Sequence, residues 1–169
     1  PTMMLDSSQW IKIARKPKSI NCDKPYIVTY FLGKRSQRIE NDLQKYAKEN
    51  SLEVYNLLDC DQPDVFVADP SEFIYLIANA KLVMTDSFHA CVFSFLFNKP
   101  FLVYSREDSE GNMMSRMDTL LGKFDLKRKY VDSGLSNDIF ECDYSNGYKQ
   151  LVKERAKAEA FLHKSLHIE

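Results

Sequence analysis

The feature that most constrains the fold of this chain is an alternation. Short β-branched, aromatic and aliphatic runs, 25–32 (PYIVTYFL), 52–58 (LEVYNLL), 81–85 (KLVMT) and 101–105 (FLVYS), take turns with segments whose apolar residues recur at helical spacing. After the first run, Gly33-Lys34-Arg35 turns the chain, and Ser36 can cap a helix through about Glu49 with Ile39, Leu43, Tyr46 and Ala47 on one stripe. Asp69 and Pro70 open the next helix as N-cap and first helical residue, with Phe73, Ile74, Ile77 and Ala80 along one side. Asp86 or Ser87 is placed to cap an apolar helix over 88–97, which Asn98-Lys99-Pro100 stops. A further short strand is predicted at Val65-Phe66-Val67, and a helix near 113–123 carrying Met114, Met117, Leu120 and Leu121. Residues 148–169 read as a long amphipathic helix with Tyr148, Leu151, Val152, Arg155 and Leu162 near helical spacing.

Strands joined through helices run parallel, and a parallel sheet needs helices on both faces. The predicted fold is therefore α/β and Rossmann-like, a single domain over 1–169, long enough to form its own core without disulfides or metal. In such sheets ligands bind beyond the carboxyl ends of the strands, where helix N-termini point free N–H groups. Three turns should share that rim: Leu32 to Ser36, Val67 to Ser71, and Thr85 to His89.

Several function classes are disfavoured by composition. With 23 Lys and Arg against 24 Asp and Glu, spread along the chain, there is no basic footprint for nucleic acid or an anionic membrane. No apolar run approaches the ~20 residues of a membrane span, and no basic-then-apolar leader opens the chain, so a cytoplasmic protein is expected. Cys22, Cys60, Cys91 and Cys142 are scattered, without zinc-ligand spacing or a disulfide framework, and no metal or cofactor is expected. His163 and His167 stand four apart on the terminal helix but lack a third ligand and read as solvated. The opening PTMMLDSSQW has neither an initiator methionine nor a lead-in, as expected of a piece cut from a longer polypeptide.

Three clusters on the expected rim carry chemistry. Thr85, Asp86, Ser87 and His89 lie where a strand ends and a helix begins, a place for a phosphate or carboxylate held by backbone N–H groups and the helix dipole, with an imidazole at hand as acid, base or donor. Read plainly, Asp86 and Ser87 are caps and His89 is a packed, satisfied side chain. Lys34 and Arg35 follow a strand and a glycine and could cradle an anion, or be solvated loop charge. Arg116 falls in the first turn predicted for its helix, where the dipole disfavours a cation, so it is expected either in an ion pair or as an arm reaching the rim.

Taken in order, these segments resemble the polysaccharide pyruvyl transferase family. The resemblance is carried by DPSEF (69–73), TDSFHA (85–90), KPF (99–101), SRMDTLL (115–121) and the following LKRKYV (126–131), together with the opening PTMMLDSSQW before a tryptophan helix. It implies the C-terminal half of a GT-B-like enzyme of two Rossmann-like halves, acting with the other half of the same polypeptide. The implied chemistry is transfer of a pyruvyl group from phosphoenolpyruvate to sugar hydroxyls of an exopolysaccharide or other glycan, with peripheral association with membrane-bound glycan machinery. By position, His89 matches the family histidine, as acid/base or phosphate contact. Relatives often place an arginine and a leucine before that histidine, where this chain has Ser87 and Phe88, leaving Lys34, Arg35 or Arg116 to supply the cation. Two alternatives stand beside it: a GT-B glycosyltransferase half binding a nucleotide sugar, with Asp69 or Glu72 on the ribose, and a non-catalytic carbohydrate or protein interaction domain.

Overall fold

Every residue of the strands Leu82–Thr85 (β3) and Phe101–Val103 (β4) is buried, which a strand achieves only when both sheet faces are covered. The computed structural model describes residues 2–59, 61, 68–106, 112–133 and 138–167, with the backbone alone at 112–114 and 133. With Tyr26–Tyr30 (β1) and Glu53–Asn56 (β2), the two strands form a four-stranded sheet in the order β2-β1-β3-β4, parallel throughout. The register sets Val28 opposite Tyr55 and Val83, and Val83 opposite Phe101. The half-buried residues of β2 suit an edge strand. The expected strand at Val65-Phe66-Val67 lies outside the described residues.

Side-chain alternation along the strands divides the core between the two faces. Ile27, Leu82, Met84 and Leu102 pack with Ile39, Leu43 and Tyr46 of helix α2 (Gln37–Asn50). Tyr26, Val28, Val83, Phe101 and Val103 pack with helices α3 (Pro70–Asn79), α4 (Phe88–Leu96), α5 (Asn112–Lys123) and the start of α6 (Ser145–Leu166). Helices thus cover both faces, the Rossmann-like arrangement expected. α4 is apolar almost all round, and Ala90 through Leu96 are all buried because it is sandwiched between the sheet and its neighbours. The short helix α1 (Ser7–Ile11) sets Trp10 edge-on against Phe93 of α4, 5.1 Å between centroids. Arg155 of α6 holds the same N-terminal segment, donating from Nε to the Met3 carbonyl and from Nη1 to Asp6.

α6 begins three residues before the expected 148, and only its first half packs. Gly147 and Leu151 are buried, while Val152, Phe161, Leu162 and Leu166 are exposed, so part of the predicted apolar stripe faces outward where the helix runs past the body.

Lys129, 1% exposed, donates to the Glu141 carbonyl and lies 5.5 Å from the Tyr144 ring centroid. Burial lowers its pKa below the ordinary 10.5. Between the folded and unfolded values the unfolded chain carries the extra proton, so Lys129 contributes stability that grows as pH rises toward 10.5, and its desolvation cost is fully present below the folded value. The buried tyrosines Tyr26, Tyr104 and Tyr144, raised by desolvation, act oppositely near pH 10, so the comparison must be between variants. Lys129→Met is expected to remove the rise. Urea midpoints of parent and variant, measured at intervals up to pH 10.5, check this.

Candidate functional site

The chain leaves β1 toward β2 on one side and returns through α3 to β3 on the other, so the sheet order reverses between β1 and β3. A crevice beyond the carboxyl ends of those strands is where a parallel sheet of this kind binds ligands. Of the three turns expected there, Leu32 to Ser36 and Thr85 to His89 are held together by one carboxylate, and Val67 of the third lies outside the described residues. Asp86, its side chain 4% exposed, accepts from Leu32 N through Oδ1 at 2.8 Å and from Gly33 N through Oδ2 at 2.9 Å, and Oδ2 also takes Arg106 Nε at 2.9 Å. The turn following β1 is therefore fastened to the turn following β3, and Arg106 after β4 fastens both. Gly33 is required by the closeness of this contact: a Cβ there would sit 2.6 Å from Arg106 Cγ and 3.2 Å from Asp86 Oδ2.

Neither residue expected to cap α4 does so. Asp86 faces the β1 turn, and Ser87, though at the N-cap position and 3% exposed, makes no side-chain bond to the first turn. Thr85 is fully buried, its hydroxyl donating to the Tyr30 carbonyl and accepting from Ser87 N at 2.9 Å, a brace that shapes the turn. The backbone N–H groups of Phe88, His89 and Ala90 consequently have no side-chain acceptor among the described residues. The other rim helices differ. Ser36 accepts from Ile39 N in α2, and in α3 Asp69 accepts from Ser71 N and Glu72 N while Glu72 returns a bond to Asp69 N, a full capping box.

His89 is exposed rather than packed, with its ring 5.6 Å from that of Phe88. It lines a cleft of about 390 Å³ with Ser87, Asp69 and Pro70, walled by Tyr30, Phe73 and Phe93 among other apolar residues. Of the other expected residues, Arg35 is turned away from it. Its guanidinium is bound by Glu40 (2.7 Å), Asn56 (2.7 Å) and Asp59 (3.4 Å), and it lines a separate polar recess with Thr29 and Asn56 beyond β1 and β2. Lys34 is exposed on the turn between them. Arg116 is exposed one turn into α5, not in its first turn, with its guanidinium carbon 4.9 Å from the centroid of the Phe88 ring: a cation–π contact stands where an ion pair was one expectation. Thr85, Asp86, Ser87 and His89 thus come together, Arg116 reaches the same helix start through Phe88, and Arg35 does not join them.

Two cations at this site were not singled out from the sequence. Arg106 had a signal, since a basic residue directly follows the apolar run 101–105 that contains β4. Arg15, whose guanidinium pairs with Asp69 and lies 3.6 Å from Glu72, had none, being 54 residues from its partner. Among the described residues no group of three or more His, Cys, Asp and Glu could hold a metal, and no helix is long and apolar enough to cross a membrane.

A protein-family model described as polysaccharide pyruvyl transferase matches residues 1–109, more than half of the chain. The match includes the turns of the rim, Asp69, His89 and Arg106, and stops short of α5 and Arg116. No curated protein matches the chain, and no solved structure matches it.

Proposed function

Because the chain belongs to the polysaccharide pyruvyl transferase family, we propose that it serves the transfer of a pyruvyl group from phosphoenolpyruvate to hydroxyls of a glycan, with the donor held at the first turn of α4 beside His89. The observation that carries this assignment is the uncapped start of α4, opening beside an exposed imidazole and an apolar-walled cleft. Free N–H groups and the positive end of the helix dipole suit a phosphate, and an imidazole adds a donor or a proton.

The chemistry asks for those two groups. A proton delivered to the methylene carbon of phosphoenolpyruvate makes C2 electrophilic. A sugar hydroxyl adds there and gives up its proton, the bond between C2 and the bridging oxygen breaks so that phosphate leaves with that oxygen and the bonding pair, and a second hydroxyl adds to C2, closing the ketal, and loses its proton in turn. His89 is assigned to the proton or to the phosphate, and the α4 N–H groups to the charge that gathers on the leaving phosphate. Thr85, Asp86 and Ser87 shape the turn that presents these N–H groups, and Arg116 braces Phe88 next to His89. Lys34 remains exposed on the turn after β1, while Arg35, engaged by Glu40, Asn56 and Asp59, takes no part in holding the donor. In this assignment the chain is the C-terminal half of a GT-B-like cytoplasmic enzyme, near membrane-bound glycan machinery, and the other half of the same polypeptide completes the active site. A nucleotide sugar is the poorer fit, because the carboxylates that would take a ribose, Asp69 and Glu72, are engaged by the cap of α3 and by Arg15.

Titration with phosphoenolpyruvate, followed by amide NMR, is expected to shift residues 87–90. His89→Ala should weaken binding by about tenfold, the scale of one charge-assisted hydrogen bond, with the urea midpoint unchanged because the side chain is exposed. Absence of shifts at millimolar phosphoenolpyruvate, or the same shifts with a uridine diphosphate sugar alone, would overturn the assignment.

A further inference from the structure

The cleft beside His89 presents a difficulty for any anion. Its lining among the described residues contains no lysine or arginine, and its one acidic member is Asp69. Glu72 is bonded to Asp69 in the cap of α3, so a second negative charge adjoins the one that lines the cleft. Each carboxylate is divided in its use. Asp69 Oδ1 accepts from Ser71 N and Glu72 N, and Glu72 Oε2 accepts from Asp69 N, which completes the cap. The remaining oxygens, Asp69 Oδ2 and Glu72 Oε1, both face Nη2 of Arg15.

Folding does not account for Arg15. The cap of α3 is complete without it, and the pair is exposed, 58% for the arginine side chain and 40% for the aspartate, a setting in which ion pairs add little stability. Its placement is nonetheless fixed by the backbone, because Arg15 N donates to the Ser71 carbonyl at 3.1 Å and so carries the chain across the start of α3. The apolar walls of the cleft, Tyr30, Leu57, Phe73 and Phe93, lower the local dielectric and lengthen the reach of an uncompensated charge.

We infer that Arg15 is a positioning residue of the donor site: by neutralising Asp69 at the cleft mouth it lets an anionic donor settle at the first turn of α4. The role rests on the donor site proposed above. Arg15 acts through Asp69 and touches neither the donor nor the reacting atoms. It supplies, from the N-terminal segment, positive charge that the lining of the cleft lacks.

The test uses the full chain and phosphoenolpyruvate, with dissociation constants taken from the amides of 88–90 at 20 and 200 mM salt. Arg15→Ala is expected to weaken binding about five- to tenfold at the lower salt, with the difference shrinking at the higher, as for a screened charge near a surface. Arg15→Lys should keep most of the affinity. In Arg15→Ala/Asp69→Asn the loss should be largely restored, since asparagine caps α3 as well as aspartate does while removing the charge. A purely structural role for Arg15 would predict no rescue and no salt dependence. If the parent binds and Arg15→Ala binds equally well, or if Asp69→Asn fails to restore the loss, the role of Arg15 falls and the donor site stands. If the parent shows no shifts at 88–90, both fall together.

Discussion

Replacing Asp86 by alanine is expected to remove about 3–5 kcal/mol of folding stability, the range for breaking a buried ion pair from one side. The carboxylate satisfies three donors from two separate segments, Leu32 N, Gly33 N and Arg106 Nε, and is itself nearly inaccessible. Alanine would strand two backbone amides and remove the carboxylate that faces Nε of the Arg106 guanidinium, whose side chain is 18% exposed. Asp86→Asn keeps an acceptor for the β1 turn but loses the charge opposite Arg106, and should fall between parent and alanine. Asp86→Ala/Arg106→Leu should be less destabilised than the sum of its single variants, because each single variant already loses the contact between the two side chains. Urea unfolding of the four proteins measures the coupling; additive costs would mean that Asp86 and Arg106 do not act as a pair. Since a domain has only about 5–15 kcal/mol in hand, Asp86→Ala is best compared at low temperature.

Phe95→Ala is expected to cost a similar amount, about 3–5 kcal/mol, for a different reason. Phe95 is completely buried in α4 and is the centre of an aromatic cluster: it stacks on Tyr148 at 4.9 Å and meets Phe124 at 5.5 Å and Tyr144 at 5.8 Å. These rings come from α4, the end of α5 and the start of α6, so the cavity left by alanine would open where three helices join. Little collapse can fill it. Gly147 already lies so close that a Cβ would stand 2.6 Å from the Phe124 carbonyl oxygen and 2.8 Å from Phe95 Cε2, and Tyr148 Oη donates to the Phe95 carbonyl at 2.8 Å. The site at the opposite end of α4 should survive, so His89 and the 88–90 amides should respond to phosphoenolpyruvate in the folded fraction as in the parent. A cost below about 1.5 kcal/mol, the range of volume-conserving swaps, would mean that the cluster repacks and that the junction is softer than its contacts imply.

The elements of the sheet were legible because each has a local cause. β1, β3 and β4 are runs too apolar to face water on either side, and the helices between them carry their own start signals, of which Asp69-Pro70-Ser71-Glu72 is the most complete. Ser36 likewise caps α2 as expected. At the site the local rules stop short. A residue such as Asp86, placed just before a helix, has the chemistry of a cap, and nothing within a few positions says that two amides 53 and 54 residues earlier will take its oxygens instead. The same holds for Arg35, which follows a strand and a glycine as an anion-binding residue would, yet spends its guanidinium on Glu40, Asn56 and Asp59.

What the sequence by itself determined was the alternation, hence a parallel sheet, hence a rim, and on that rim a histidine at the start of a buried helix. Backbone periodicity and capping are set within one or two turns of chain, so they can be read from neighbours. Only the tertiary structure decided which charges meet. It closed Asp86 onto the β1 turn and Arg106, brought Arg15 onto Asp69, turned Arg35 toward β2, and so left the first turn of α4 as the open one. Ion-pair partners are chosen by the order in which strands lie side by side and by which segment crosses a helix start, and those adjacencies exist only once the chain has folded.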